Sequence, residues 1–280
     1  MQGVYYTDKN YIYESSVKSI LSIRYATDGF SFCVHDENDR LVVFAHQPFQ
    51  VDSLDAVLAR VENYIVNDRI LNSNFKQVYV IPCCKAKSLI PADFFQKDKL
   101  NLLYHLQQET DSEEELLYHH IEDINAYLVE SIPYKFHQFL QEHYPTVQIV
   151  NNAFNLIEQA STKTLRQMEQ LFVDIQDRYF DILLFRNAKL LLFNSFHYQY
   201  PADIVYFILN TLRESGTEKD KIHLFISGIP VKDQKFIGML ESYIPHIYYP
   251  QEPLLNTLLQ DKEFNSSYFI HLLNFHRCGL

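Results

Sequence analysis

A chain of 280 residues lies at the upper edge of what one hydrophobic core organises, so one large domain or two of about 100–150 residues is expected. It carries six glycines where roughly 20 would be usual, beside 20 tyrosines, 21 phenylalanines and no tryptophan. That scarcity excludes glycine-rich phosphate cradles, collagen and flexible linkers, while 47% hydrophobic residues exclude disorder and a net charge of −11 without any Lys/Arg cluster excludes a nucleic-acid surface.

The cysteines Cys33, Cys83, Cys84 and Cys278 show no CxxC spacing, and the start MQGVYYTDKNYIYESS lacks the apolar run of a signal peptide. No apolar stretch approaches about 18 residues, so no membrane insertion is expected, and a reduced cytoplasmic location follows.

In chain order, residues 17–46 alternate apolar and polar positions with turn residues at 26–29 and 36–40, which predicts three antiparallel strands. An amphipathic helix follows over 51–71. Asp52 or Ser53 is its cap, and Leu54, Val57, Leu58, Val61 and Ile65 are its apolar stripe. FKQVYVIP at 75–82 is a strand. Residues 83–122 read as an insertion with two helical runs, KLNLLYHLQQ and ELLYHHIEDI, separated by the acidic DSEEE. Then come a strand (INAYLVESIP), a helix (PYKFHQFLQEHYP), a strand (TVQIVN) and a helix (NAFNLIEQASTK).

Residues 168–197 repeat the three-strand pattern, with turns near Gln176–Arg178 and Arg186–Lys189. The next helix has Pro201 in its first turn, a stripe of Ile204, Val205, Ile208, Leu209 and Leu212, and Gly216 at its C-terminal end. A strand over 221–230, a helix over 231–244, a short strand HIYYP and a helix EPLLNTLLQ complete the reading; the tail FNSSYFIHLLNFHRCGL is left without an element. The order β-β-β-α-β thus occurs twice, about 150 residues apart, as expected of a duplicated α/β protein. The expected domains are 1–165, with an inserted subdomain near 83–122, and 166–280.

Two such copies resemble the ground plan of the actin-like ATPase fold shared by actin, sugar kinases and heat-shock chaperones. The expected fold class is therefore a duplicated ribonuclease-H-like fold, each lobe β-β-β-α-β-α, with an insertion in the first. The strings LSIRYATDGFSFCV (21–34), FNSFHYQYPADIVYFILNTL (193–212) and LFISGIP (224–230) resemble an uncharacterised Bacteroidetes family of actin-like proteins, a domain of unknown function. The run 123–158 is similar in pattern to actin-like cell-division and type IV pilus assembly proteins.

The resemblance implies a nucleotide cleft in which each lobe offers an Asp-x-Gly turn, the carboxylate to Mg²⁺ and the glycine backbone to phosphate. Position in the strand places the first turn at Ser22-Ile23-Arg24, where the acid is serine and the glycine arginine. The second is Asp174-Ile175-Gln176, which keeps the acid and loses the glycine. A Gly-Gly pair for the adenosine and α-phosphate maps to Gly228-Ile229, after Ser227. Asp28-Gly29 is a hairpin-turn signal in its own right, at the edge of the implied cleft. Ser22, Arg24, Asp28, Gly29, Asp174, Gln176, Ser227 and Gly228 are thus the candidate nucleotide-cleft residues. Asp174 is a metal ligand only if Mg-nucleotide binds, and otherwise caps a turn; Gly228 has the plainer use of turning the chain after a strand.

Other chemistry has less behind it. Glu115, His119 and Glu122 or Asp123 share one helical face, yet HExxH is absent and a solvated acidic helix explains them equally. His271 and His276 have no third partner nearby in sequence, and Cys83-Cys84 after a strand end has no activating neighbour, so burial is expected for it. No GxxxxGK[ST], GxSxG or GxGxxG string occurs. Tyrosine-rich FHYQY (196–200) and IYYP (247–250) suit a protein interface. The expected function is a non-catalytic binding or scaffolding module with a degenerate nucleotide site, no cofactor, and a protein partner or self-association; the alternative is a Mg-ATP-dependent weak ATPase or phosphotransferase.

Overall fold

The computed structural model describes residues 3–49, 51, 53–84, 86–108, 113–163, 168–228, 234–250 and 266–277. The chain forms two compact units. Unit 1 takes residues 1–120, 126–154 and 272–280; unit 2 takes 121–125 and 155–271.

Unit 1 is built on a six-stranded sheet of order β1-β4-β3-β2-β5-β9. Its strands are β1 (Val4–Thr7), β2 (Ile20–Ala26), β3 (Gly29–His35), β4 (Leu41–Pro48), β5 (Gln77–Pro82) and β9 (Val147–Ile149). β2, β3 and β4 form the antiparallel meander expected from the alternation, and β5 and β9 add in parallel. The edge strand β1, absent from the sequence reading, pairs antiparallel with β4 from Val4↔His46 to Thr7↔Val43.

Helix α1 (Leu54–Asn67) buries Val57, Leu58, Val61 and Ile65 against Leu21, Ile23, Val78 and Val80 of this sheet. Its cap is Ser53, whose Oγ accepts from the Ala56 N–H at 3.3 Å; Asp52 lies outside the described residues. Leu54, expected in the stripe, is exposed. The insertion is a three-stranded sheet of order β6-β8-β7, with β6 (Lys87–Pro91), β7 (Glu114–Ile121) and β8 (Ala126–Pro133), around a small core of Ile90, Leu100, Tyr104 and Val129. The first expected helix survives as α2 (Leu100–His105), whereas ELLYHHIEDI is the strand β7 and not a helix. Its apolar spacing suits either period, and a place beside β8 decides the matter. Helix α3 (Tyr134–His143) adds Phe136 and Leu140 to the main core.

The last residues of unit 1 come from the far end of the chain. The Cys33 Sγ–H donates to the Leu272 carbonyl (3.6 Å), and Phe275 lies against Tyr79 with ring centres 5.3 Å apart. His276 stacks on His35 at 3.6 Å, and Asp39 pairs with His276 and accepts from Arg277 at 2.9 and 3.1 Å.

Unit 2 has a five-stranded sheet of order β12-β11-β10-β13-β14: β10 (Glu169–Ile175), β11 (Tyr179–Arg186), β12 (Lys189–His197), β13 (His223–Gly228) and β14 (Ile247–Tyr248). This repeats the order β4-β3-β2-β5-β9 of unit 1, again with a meander followed by parallel additions. The β11–β12 hairpin turns on Asn187 and Ala188, both at positive φ (54° and 61°), as a two-residue I′ turn requires. Helix α4 (Asn152–Lys163) leads into the unit, and α5 (Pro201–Glu214) and α6 (Gln234–Glu241) cover one sheet face with Ile204, Val205, Ile208, Leu212, Phe236 and Leu240. Asp203 Oδ2 accepts from the Gln199 and Tyr200 N–H groups at 2.9 Å and so closes the α5 N-terminus. Gly216 ends it at φ +66°. A last helix, α7 (Ile270–Asn274), runs from unit 2 into unit 1; the expected helix EPLLNTLLQ lies outside the described residues. No described helix is long and apolar enough to cross a membrane.

Candidate functional site

Four of the eight candidate residues fall in unit 1. Ser22 and Arg24 do not form a turn: the alternation runs unbroken through β2, and Thr27–Asp28 makes the hairpin that closes Ala26 against Gly29. Gly29 has no room for a side chain, since a Cβ there would lie 2.9 Å from the Gln47 carbonyl. Arg24 is the polar residue of β2 nearest the hairpin, as Asp174 is of β10, so a cation stands at the counterpart of the acid. Its guanidinium is 4% exposed and reaches Asp28 Oδ1 at 3.4 Å through both terminal nitrogens. Ser31 Oγ and His46 Nδ1 lie 2.8 Å apart beside it. Burial, reinforced by the Arg24 charge, pushes the His46 imidazole down to about 3.

The other four candidates meet in unit 2, where β10 and β13 run parallel with Asp174 beside Ser227 and Ile175 beside Gly228. Asp174 is fully buried. Its Oδ1 accepts from Ser227 Oγ at 2.7 Å and lies 3.2 Å from His271 Nε2, and its Oδ2 accepts from Gln176 Nε2 at 2.6 Å. Burial alone would raise this carboxyl, but the His271 imidazole and the hydrogen bonds from His271, Ser227 and Gln176 outweigh it and hold the group at about 2. Ser227 Oγ is also 3.1 Å from His271 Nε2. Acid and hydroxyl therefore meet the same imidazole nitrogen, whereas a nucleophilic triad needs them on opposite nitrogens. His271 Nδ1 is buried with no partner among the described residues. Gly228 sits at φ +89°, where an added Cβ would run into the Ile175 backbone. Ile229 lies outside the described residues.

His271 was visible in the sequence as a histidine without a neighbour; its partner Asp174 is simply far along the chain. A second buried acid carried no signal beyond an inward position in a strand. Glu130 of β8 is fully buried across from Lys87 of β6, and its Oε1 accepts from the Asn151 N–H at 2.7 Å while Oε2 has no partner among the described residues. Burial drives its carboxyl up, and the Asn151 N–H and Lys87 charge draw it back only in part, to about 7. The protonated form is thus favoured by folding, a contribution complete below pH 4.5 and lost as pH rises through about 7. Glu130→Gln, which mimics that form, is expected to match wild type near pH 4.5 and to exceed it at pH 8.5 by about 3 kcal/mol. Urea titrations at the two pH values check this; equal differences at both would remove the titration from the account.

Cys83 and Cys84 are half-buried rather than fully buried, with Asn151 Nδ2 3.4 Å from Cys84 Sγ. Cys278 lies outside the described residues. The acids and histidine expected on one helical face are on β7 or just beyond it. Glu115 pairs with His137 Nδ1 at 2.7 Å, and His119 Nε2 meets the Ile149 carbonyl at 2.9 Å. Among the described residues no three His, Cys, Asp or Glu side chains are placed to hold a metal ion.

The order of strands in both units is that of the actin-like ATPase fold. A Bacteroides thetaiotaomicron protein with an actin-like ATPase fold and unknown function superposes with a TM-score of 0.78 at 22% identity, covering 90% of this chain and 99% of that one. A chain of the PilM–PilN type IV pilus biogenesis complex superposes with a TM-score of 0.56 at 11% identity, over 92% of this chain and 97% of its own. No curated protein matches the sequence. The model of a protein family of unknown function, DUF3822, matches residues 8–247, and with that extent of agreement the chain belongs to the DUF3822 family.

Proposed function

We propose that the protein is a non-catalytic binding or scaffolding module of the cytoplasm, built on an actin-like fold whose nucleotide site has degenerated. The observation that carries this reading is Asp174. Both of its oxygens are engaged by Ser227, Gln176 and His271 of its own unit, and it is fully buried, so no lone pair is left facing solvent for a hydrated Mg²⁺. Arg24 in the position of the first-lobe acid supports the same conclusion. A chain of this fold in the PilM–PilN complex is consistent with an assembly role, although a fold carries no function by itself.

One observation favours the alternative, a Mg-dependent ATP-binding protein: Asp174 is kept ionised, as a metal ligand must be. Thermal melts with and without millimolar Mg-ATP separate the two. A ligand at 100 times its dissociation constant stabilises by about 2.7 kcal/mol, a rise of several degrees for a chain of this size. No rise is expected. A clear rise in the wild type that Asp174→Asn abolishes would establish the enzyme-like reading instead.

A further inference from the structure

The two sheets repeat one strand order, but among the described residues only one of them is finished at its outer edge. In unit 1 the third strand of the meander, β4, is covered by β1, and in unit 2 its counterpart β12 pairs with β11 alone among the described residues. β12 is nine residues long and contains no proline and a single charge, Lys189. An uncovered strand of this kind, rich in leucine and phenylalanine, is a template for another strand.

From this edge we propose that two copies of the chain join by antiparallel pairing of β12 with β12, about a two-fold axis near Phe193. The strand is suited to its own copy. In that register Lys189 lies opposite His197, and Leu191, the bulge residue of the β11–β12 ladder, opposite Ser195, so the strand's one lysine does not meet its own copy. The Ser195 N–H, now held by Asn194 Oδ1 at 2.8 Å, exchanges that local bond for one between strands.

A single pair of strands buries less than a stable dimer needs, and the second contribution comes from α5. Phe207 of α5 stacks on Phe196 of β12 at 4.4 Å, which fixes the helix beside this edge. Tyr206 next to it is 62% exposed, and Leu191 on the strand is 49% exposed. A two-fold axis perpendicular to the sheet keeps α5 and its copy on one face of the joined sheet, so the two tyrosine-bearing helices flank the seam. The inference rests on an edge that no described residue covers and is independent of whether nucleotide binds.

The test is light scattering or sedimentation from about 1 to about 200 µM, a range that brackets a weak dimer. The wild-type mass should climb from 33.2 kDa towards twice that value. Leu191→Lys and Tyr206→Glu, on different elements, should each weaken association at least tenfold without altering the melting of the monomer. Amide exchange on the unaltered protein adds a readout independent of either variant, with protection of 189–197 rising with concentration. A wild type that stays monomeric at about 200 µM overturns the proposal, whether or not the edge captures another protein's strand. So does a dimer indifferent to both folded variants, or one whose 189–197 amides stay unprotected.

Discussion

Gly228→Ala should cost unit 2 more than about 4 kcal/mol, or its fold altogether. Two independent constraints meet at this residue. Its φ of +89° lies where an L side chain is strained, and an added Cβ would fall 1.9 Å from the Ile175 carbonyl oxygen and 2.7 Å from the Ile175 carbonyl carbon and amide nitrogen. The obstructing atoms are backbone, and Ile175 is itself fixed between β13 and the Phe180 position of β11, so neither strand can yield without breaking the sheet. Gly216→Ala is the control. It too has positive φ, +66°, but nothing lies within 4 Å, and its expected cost is only about 1–2 kcal/mol. Equilibrium unfolding in urea decides the point, and a Gly228→Ala protein within about 1 kcal/mol of wild type would contradict the packing described. The glycine is thus explained by its own chain, with no need of a ligand.

Asp174→Ala should destabilise by about 3–5 kcal/mol at pH 7, because it leaves the His271 imidazole, the Ser227 hydroxyl and the Gln176 amide buried around a missing acceptor. The sign of the pH dependence follows from a carboxyl held at about 2 when folded against 3.8 when free. The stabilisation is complete above pH 3.8 and fades as pH falls towards 2. A double-mutant cycle with His271→Ala tests the pairing itself. The double variant should be more stable than the sum of the single losses implies, by at least about 1 kcal/mol, and strict additivity would mean that the two side chains do not act on each other.

Local sequence carried most of the architecture. The alternation over 17–46 and 168–197 specifies both meanders even though β2, β3, β10 and β11 are buried along nearly their whole length, and Ile204, Val205, Ile208 and Leu212 bury one face of α5 as their spacing requires. Where two periods fit equally, as in ELLYHHI, only the neighbouring strand could decide. β1 was missed because four residues on an exposed edge hardly alternate. At the candidate site the types of residue were legible but their relations were not. Ser22 and Arg24 were misplaced by a strand-to-turn offset that Asp28–Gly29 could have corrected. Asp174 was singled out without its partner, since a contact between residues this far apart in sequence leaves no local pattern. Glu130 gave no hint, for a buried acid looks the same on paper as a solvated one.

The return of residues 272–277 to unit 1 sets an order of events for a chain emerging from the ribosome. Phe275 and His276 must reach Tyr79 and His35, and Leu272 must reach Cys33, 239 positions earlier. Loop closure of that length is slow and comes late. The first unit to be synthesised is therefore the last to be completed, with Cys33 and the buried imidazole of His35 uncovered until the whole of unit 2 has been made. Nascent chains arrested before residue 272 would present that half-covered sheet face to chaperones, and thiol labelling of Cys33 would report when it closes.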